Sequence, residues 1–104
     1  MAQFRKRPVV IDAVQFHYLE YADNPLTFDE TPDWLREAVD AGQLKPFFGG
    51  EDHWYLHVKT LEDGPDGQAK HVASPGDWIV RGVQGELYPV KPAIFRDTYE
   101  AVPA

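Results

Sequence analysis

The residues able to do chemistry are few, and their spacing excludes most of it. The chain has four histidines. His53 and His57 stand four apart, a spacing that on a helix would suit one metal. They fall at the head of a strand expected over residues 54–61, where four residues span about 13 Å at roughly 3.3 Å each. Two ligands of one zinc need nitrogens about 2 Å from the ion, so no metal site is expected; His57 is instead expected to meet His71 across a hairpin. The absence of cysteine removes thiol nucleophiles, disulfides and cysteine metal sites. Ser74, the only serine, precedes Pro75 and has no strand–turn–helix glycine context, so turn geometry explains it better than nucleophilic attack. The carboxylate runs Asp29-Glu30, Glu51-Asp52 and Glu62-Asp63 read as solvated loops, and nothing selects two carboxylates at an acid–base separation. Gly82-Val83-Gln84-Gly85 lacks the Gly-Lys-Ser/Thr ending of a phosphate loop. What remains is a polar set on one short stretch: Asp77, Arg81, Glu86, Tyr88 and Lys91. These are the candidate ligand- or partner-binding residues, because binding groups concentrate on turns held by a rigid scaffold. The plainer reading is that Arg81 and Glu86 form an exposed cross-strand pair, which adds little stability. No cofactor is expected.

The elements that must position this set begin with Ser74-Pro75-Gly76-Asp77, a turn signal, since proline presets one dihedral and glycine accepts a positive one. Trp78-Ile79-Val80 is bulky and β-branched and predicts a strand. Gly82 and Gly85 bracket a second turn, and Leu87-Tyr88 leads back, so residues 77–91 form a hairpin. Pro89 and Pro92 confine the returning strand to an edge or an early end.

Pro75-Gly76-Asp77-Trp78-Ile79, then Gly82-x-x-Gly85-Glu86-x-Tyr88-Pro89, then Lys91-Pro92-x-x-Phe95 and Thr98-Tyr99-Glu100 resemble the PGDYG-type family of small phage and prophage proteins, with Trp78 standing where the family name has tyrosine. The opening Lys6-Arg7-Pro8-Val9-Val10-Ile11-Asp12-Ala13-Val14-Gln15-Phe16 is also similar to how such chains begin. The resemblance covers both ends and not the middle. The family has no assigned activity, so the resemblance implies an accessory protein and no catalytic residue.

Elsewhere, Val9–Phe16 predicts a strand with apolar residues on both faces. Residues 17–30 read as a surface loop. Thr31-Pro32-Asp33 predicts a helix start, with threonine as cap and proline in the first helical position. Trp34, Leu35, Ala38 and Val39 form the apolar stripe and Gly42 the stop, giving one helix over about 32–41. Residues 44–50 read as a connector with a short strand at Phe47-Phe48, Lys70–Ala73 as the partner of the 54–61 strand, Pro92–Arg96 as a helical turn, and Thr98–Val102 as a last strand. The expected fold is α+β: one domain of 104 residues, a mostly antiparallel sheet of five or six short strands with one helix, or alternatively a partly closed barrel.

Charge narrows the partner. The net charge is −7. Residues 1–16 carry three bases and one acid, residues 17–66 twelve acids and three bases, and residues 67–104 four of each. Such a chain repels nucleic acid. With no signal peptide or membrane span in the sequence, it is expected in the cytoplasm. The expected function is binding of a host protein or basic surface, without catalysis. The alternative is a ligand-binding or hydrolytic domain for an anionic, nucleotide-like metabolite, held by Arg81, Lys91 and His71 with Asp77 or Glu86 as acid or base. A third reading is a homodimer joined through a sheet edge.

Overall fold

Alternation of inward and outward side chains governs β1, Asp12–His17, where Val14 and Phe16 are buried and their neighbours are not. The computed structural model describes residues 2–5, 7–17, 27–48, 54–59 and 71–103. Among them are β2 (Thr27–Phe28), α1 (Asp33–Asp40), β3 (Leu44–Phe48), β4 (Trp54–Val58), β5 (His71–Ala73), β6 (Trp78–Arg81), β7 (Leu87–Val90) and α2 (Pro92–Thr98). The architecture is α+β and mostly antiparallel sheet, but the described residues form two sheets and two helices where one of each was expected. One sheet has the order β2-β1-β6-β7 and the other β3-β4-β5. They adjoin where β5 runs beside β7.

Both sheets and α1 feed one core. Val14, Phe16, Ile79 and Leu87 come from the first sheet, Leu44, Leu56, Val58 and Ala73 from the second, and Leu35 and Ala38 from α1. Trp34 and Val39, the rest of the predicted stripe, pack at its margin. The helix stops as expected. Gly42 takes φ 78°, its N–H donates to the Val39 carbonyl, and the Gln43 N–H donates to the Ala38 carbonyl. These two bonds form a Schellman cap. The start differs: Pro32 is the cap residue and no side chain caps the helix, so Thr31 does not have the role expected of it. The Thr31 carbonyl instead accepts a bond from Arg36 at 3.3 Å.

Both turns of the central hairpin obey their glycines. The Asp77 N–H donates to the Ser74 carbonyl with Gly76 at φ 95°, as a type II turn with proline second and glycine third requires. At the far end, Gly85 has φ 80° and its N–H reaches the Gly82 carbonyl, while the Gly82 N–H reaches the Glu86 carbonyl. This is a three-residue hairpin loop with glycine in the left-handed position.

Proline marks the edges. β7 pairs only with β6 in its sheet, and Gly82 bonds Glu86 across the ladder. Counting by two, Tyr88 turns its amide to β6 and Pro89 faces away, so the missing N–H removes nothing from the ladder. β3 repeats the arrangement: Gln43 bonds Lys59, hence Lys45 and Phe47 face β4 and Pro46 faces out. Proline thus opposes strand addition at two of the four outer strands, β7 and β3; β2 and β5, the other two, carry none.

Four expectations are corrected. β1 begins at Asp12, not Val9, because among the described residues no strand pairs with Val9, Val10 and Ile11. The loop expected over 17–30 contains β2, which pairs with Phe16 and His17, and residues 18–26 lie outside the described set. β3 spans the whole of Leu44–Phe48 because edge position tolerates Pro46. The last strand at Thr98–Val102 does not form: Thr98 ends α2, and Tyr99 is its C-cap.

Candidate functional site

The first sheet has a second face, opposite the core. In β6, Ile79 points into the core, so Trp78 and Val80 point away from it. Val80 is nonetheless fully buried and lies outside the core cluster. α2 covers this face. The Trp78 and Phe95 rings stack at 4.1 Å and 6°, and Phe95 and Tyr99, one helical turn apart, stack at 4.9 Å and 29°. The Tyr99 hydroxyl lies 3.2 Å from that of Tyr88 on β7. Pro92 opens α2 at a position where a missing N–H costs nothing.

Beside this aromatic row lies an open cleft of about 410 Å3. Its walls are two segments without regular structure: Val9, Val10 and Ile11 leading into β1, and Glu100, Ala101 and Val102 leaving α2. Trp78, Phe95 and Tyr99 supply the aromatic surface, and Glu100 is among the lining residues. Asp12 also borders the cleft, but alternation along β1 puts its side chain on the face of Val14, where its carboxylate lies 3.6 Å from Arg81. Val10 is 73% exposed and Val102 65% exposed. Such a cleft accepts apolar side chains and tolerates a neighbouring cation. Two other hollows differ in character. On the outward face of β3-β4-β5, Lys45, Phe47, His57 and Val72 border about 390 Å3, and the Nε2 of His57 is buried with no hydrogen-bond partner among the described residues. Between the end of α1 and the β6–β7 turn, Gln43, Lys59, Gln84 and Glu86 border a more polar space of about 450 Å3.

The five predicted binding residues are split between the two ends of the hairpin. At one end Asp77 is only 3% exposed, and a single oxygen, Oδ2, accepts from the Ser74 N–H at 2.9 Å and from Lys91 Nζ at 2.8 Å. Asp77 therefore fastens its own turn and the start of α2 together. At the other end Arg81 lies opposite Leu87, not Glu86, and its guanidinium is 3.6 Å from Asp12 on β1. The expected Arg81–Glu86 pair is thus corrected: register sets Arg81 against β1 and the apolar Leu87. The Glu86 carboxylate folds back to accept from the Gln84 N–H at 2.8 Å, in the space beside Gly82 that a larger residue would fill. Tyr88 belongs to the aromatic row. His71 sits in the other sheet, opposite Val58, so the anion-binding set of Arg81, Lys91 and His71 is not assembled. His57 pairs with Val72 and not with His71, which correction follows from the one-residue register offset. His53 lies outside the described residues.

Burial and the hydrogen bond to Tyr99 push the Tyr88 phenol up from 10.0 to about 12, with the charges of Tyr99 and Glu86 adding to the effect. The folded state thus favours the protonated phenol. That contribution is whole below the unfolded value near 10 and is lost as pH climbs through the folded value of about 12. Urea unfolding followed across this range should show wild-type stability falling, and Tyr88→Phe should remove part of the slope. An unchanged slope in the variant would place the loss elsewhere.

The cleft was not legible as a site. Its signals were Pro92 followed by Phe95 and Tyr99 at a helical spacing of four, and a valine pair ahead of the first paired residue of β1. Among the described residues no helix is long and apolar enough to cross a membrane. Comparison of the chain with family models, with curated proteins and with solved structures finds no match.

Proposed function

We propose that the chain is a small cytoplasmic accessory protein of the phage and prophage type, acting by binding a protein partner and not by catalysis. The observation that carries this reading is the cleft: aromatic rings and exposed valines form one accessible surface, with Glu100 among its lining residues. In contrast, Asp77, Arg81, Glu86, Tyr88 and Lys91 are each engaged in bonds within the chain. The partner that fits presents apolar side chains flanked by lysine or arginine. A net charge of −7 steers such a partner inward and makes association salt-sensitive. The same charge disfavours nucleic acid.

A photo-cross-linking residue at Val10 tests the reading in host lysate at low salt. It should yield an adduct with a basic host protein. The same residue at Val83, which is 68% exposed on the β6–β7 turn, should not. No heterologous adduct, or equal adducts from both positions, would contradict the proposal.

A further inference from the structure

β1 is paired along only part of one edge. The Phe16 N–H donates to the Asp77 carbonyl and the Phe16 carbonyl accepts from Gly76, so Phe16 turns its backbone toward β6. Counting by two, Val14 and Asp12 do the same, and Gln15 and Ala13 turn theirs the other way. On that other side β2 pairs with Phe16 and His17, and Asp29 then takes both backbone groups of Gln15. Its Oδ1 accepts the Gln15 N–H at 2.9 Å, and its own N–H donates to the Gln15 carbonyl at 3.1 Å. The cover stops there. The N–H and carbonyl of Ala13 have no hydrogen-bond partner among the described residues, and neither has the carbonyl of Ile11. That carbonyl points away from β6 because the Asp12 N–H, in the same trans peptide, points toward it. Ile11 and Ala13 both border the aromatic cleft, and alternation sets the Ala13 methyl on the face of Trp78.

Unpaired donors and acceptors at strand spacing, beside an apolar hollow, are complementary to an extended backbone with apolar side chains at alternate positions. Resting on the reading of the cleft as a binding surface, we propose that the partner binds by adding one antiparallel strand to the open edge of β1. The guest residue opposite Ala13 exchanges both backbone bonds with it, and the guest residue opposite Ile11 donates to the Ile11 carbonyl. Both turn their side chains to the cleft and are apolar. The residue between them lies opposite Asp12 and on its face. The Asp12 side chain is 61% exposed beyond its contact with Arg81, so lysine or arginine fits there and an acid does not. The same rule disfavours a second copy. Two β1 edges pairing through Ile11 and Ala13 about a two-fold axis would set Asp12 against its own counterpart, on chains that each carry −7. The guest is therefore a strand of a different protein, reading apolar–basic–apolar.

Amide hydrogen exchange of the full chain, alone and with a capped peptide that alternates lysine with valine and phenylalanine, tests this. Alone, the Ala13 N–H should exchange freely while that of Val14 is protected; saturating peptide should protect Ala13. N-methylation of the peptide's apolar residues, whose amides face β1, should weaken binding by at least about tenfold. N-methylation of its lysines, whose amides face away, should leave binding within about twofold. Ala13→Pro removes the open N–H at an edge position where proline is tolerated, and should abolish binding with the unfolding midpoint near wild type; if that variant fails to fold, the methylated peptides on the wild type decide. No peptide binding, binding that leaves Ala13 exchanging freely, or equal losses from the two methylated peptides would overturn the proposal. So would protection of Ala13 without peptide, which at high protein concentration alone would assign the edge to a second copy. The two readings fail separately. A host protein cross-linked through position 10, in a complex where Ala13 still exchanges freely, overturns only the strand addition. Protection of Ala13 by the peptide with no host adduct supports the strand addition and contradicts the host-partner reading.

Discussion

Replacing Asp77 by alanine is expected to lower stability by about 3 kcal/mol, from the loss of two hydrogen bonds to a charged acceptor, each contributing roughly 1.5–3 kcal/mol before exposure is discounted. The size follows from position. Asp77 is 3% exposed, and its Oδ2 receives both the Ser74 N–H and Lys91 Nζ. Alanine leaves that part-buried N–H without its acceptor and releases the start of α2. Lys91 is the lesser partner, since its side chain is 58% exposed and can return to water; Lys91→Ala should cost about 1 kcal/mol or less. Asp77→Asn should fall between, because the amide oxygen still accepts from Ser74. For a domain of this size, about 3 kcal/mol lowers the thermal midpoint by roughly 10–20 °C. Thermal unfolding of the three variants gives the order. Equal losses for Asp77→Ala and Lys91→Ala would show that the ion pair, not the turn, carries the energy.

This junction explains much of what the sequence motif encodes. Pro75, Gly76 and Asp77 make the first turn, and Gly82, Gly85 and Glu86 make the second. Tyr88 and Tyr99 meet through their hydroxyls, Lys91 reaches Asp77, and Phe95 stacks on Trp78. The stretch that was legible as a candidate site also fastens a hairpin to a helix.

Local signals were read correctly where one residue dictates geometry. Gly42 ends α1, Gly76 and Gly85 turn the chain, and Pro89 falls on an edge. Signals failed where partners lie far apart in sequence. Thr98–Val102 has the composition of a strand, but the Phe95–Tyr99 stack against β6 and β7 is what fixes the local conformation. Val9 and Val10 are β-branched, but β6 ends at Arg81 opposite Asp12, and among the described residues no other strand pairs with them. Arg81 and Glu86 look like natural cross-strand partners, and only the register of the loop, with Gly82 opposite Glu86, separates them. The division into two sheets depends on which strand stands beside which, information that no local pattern contains.

Partner affinity in the double variant Val10→Asn with Val102→Asn is the second large effect expected, and it tests the central claim most directly. Both residues are exposed walls of the cleft, so substitution should leave stability within about 0.5 kcal/mol. In a complex they would be covered, and burying an asparagine amide without a hydrogen-bond partner where a valine packed costs about 1–3 kcal/mol each, a combined loss of roughly 30-fold or more. Asparagine keeps the charge unchanged, so long-range steering of a basic partner is preserved and the change should fall on dissociation. The measurement is the dissociation constant of the partner recovered by cross-linking, for wild type and double variant, alongside their unfolding midpoints. The account predicts equal midpoints and an affinity reduced by roughly 30-fold or more; equal midpoints with affinities within about twofold would show that the partner does not bind in the cleft.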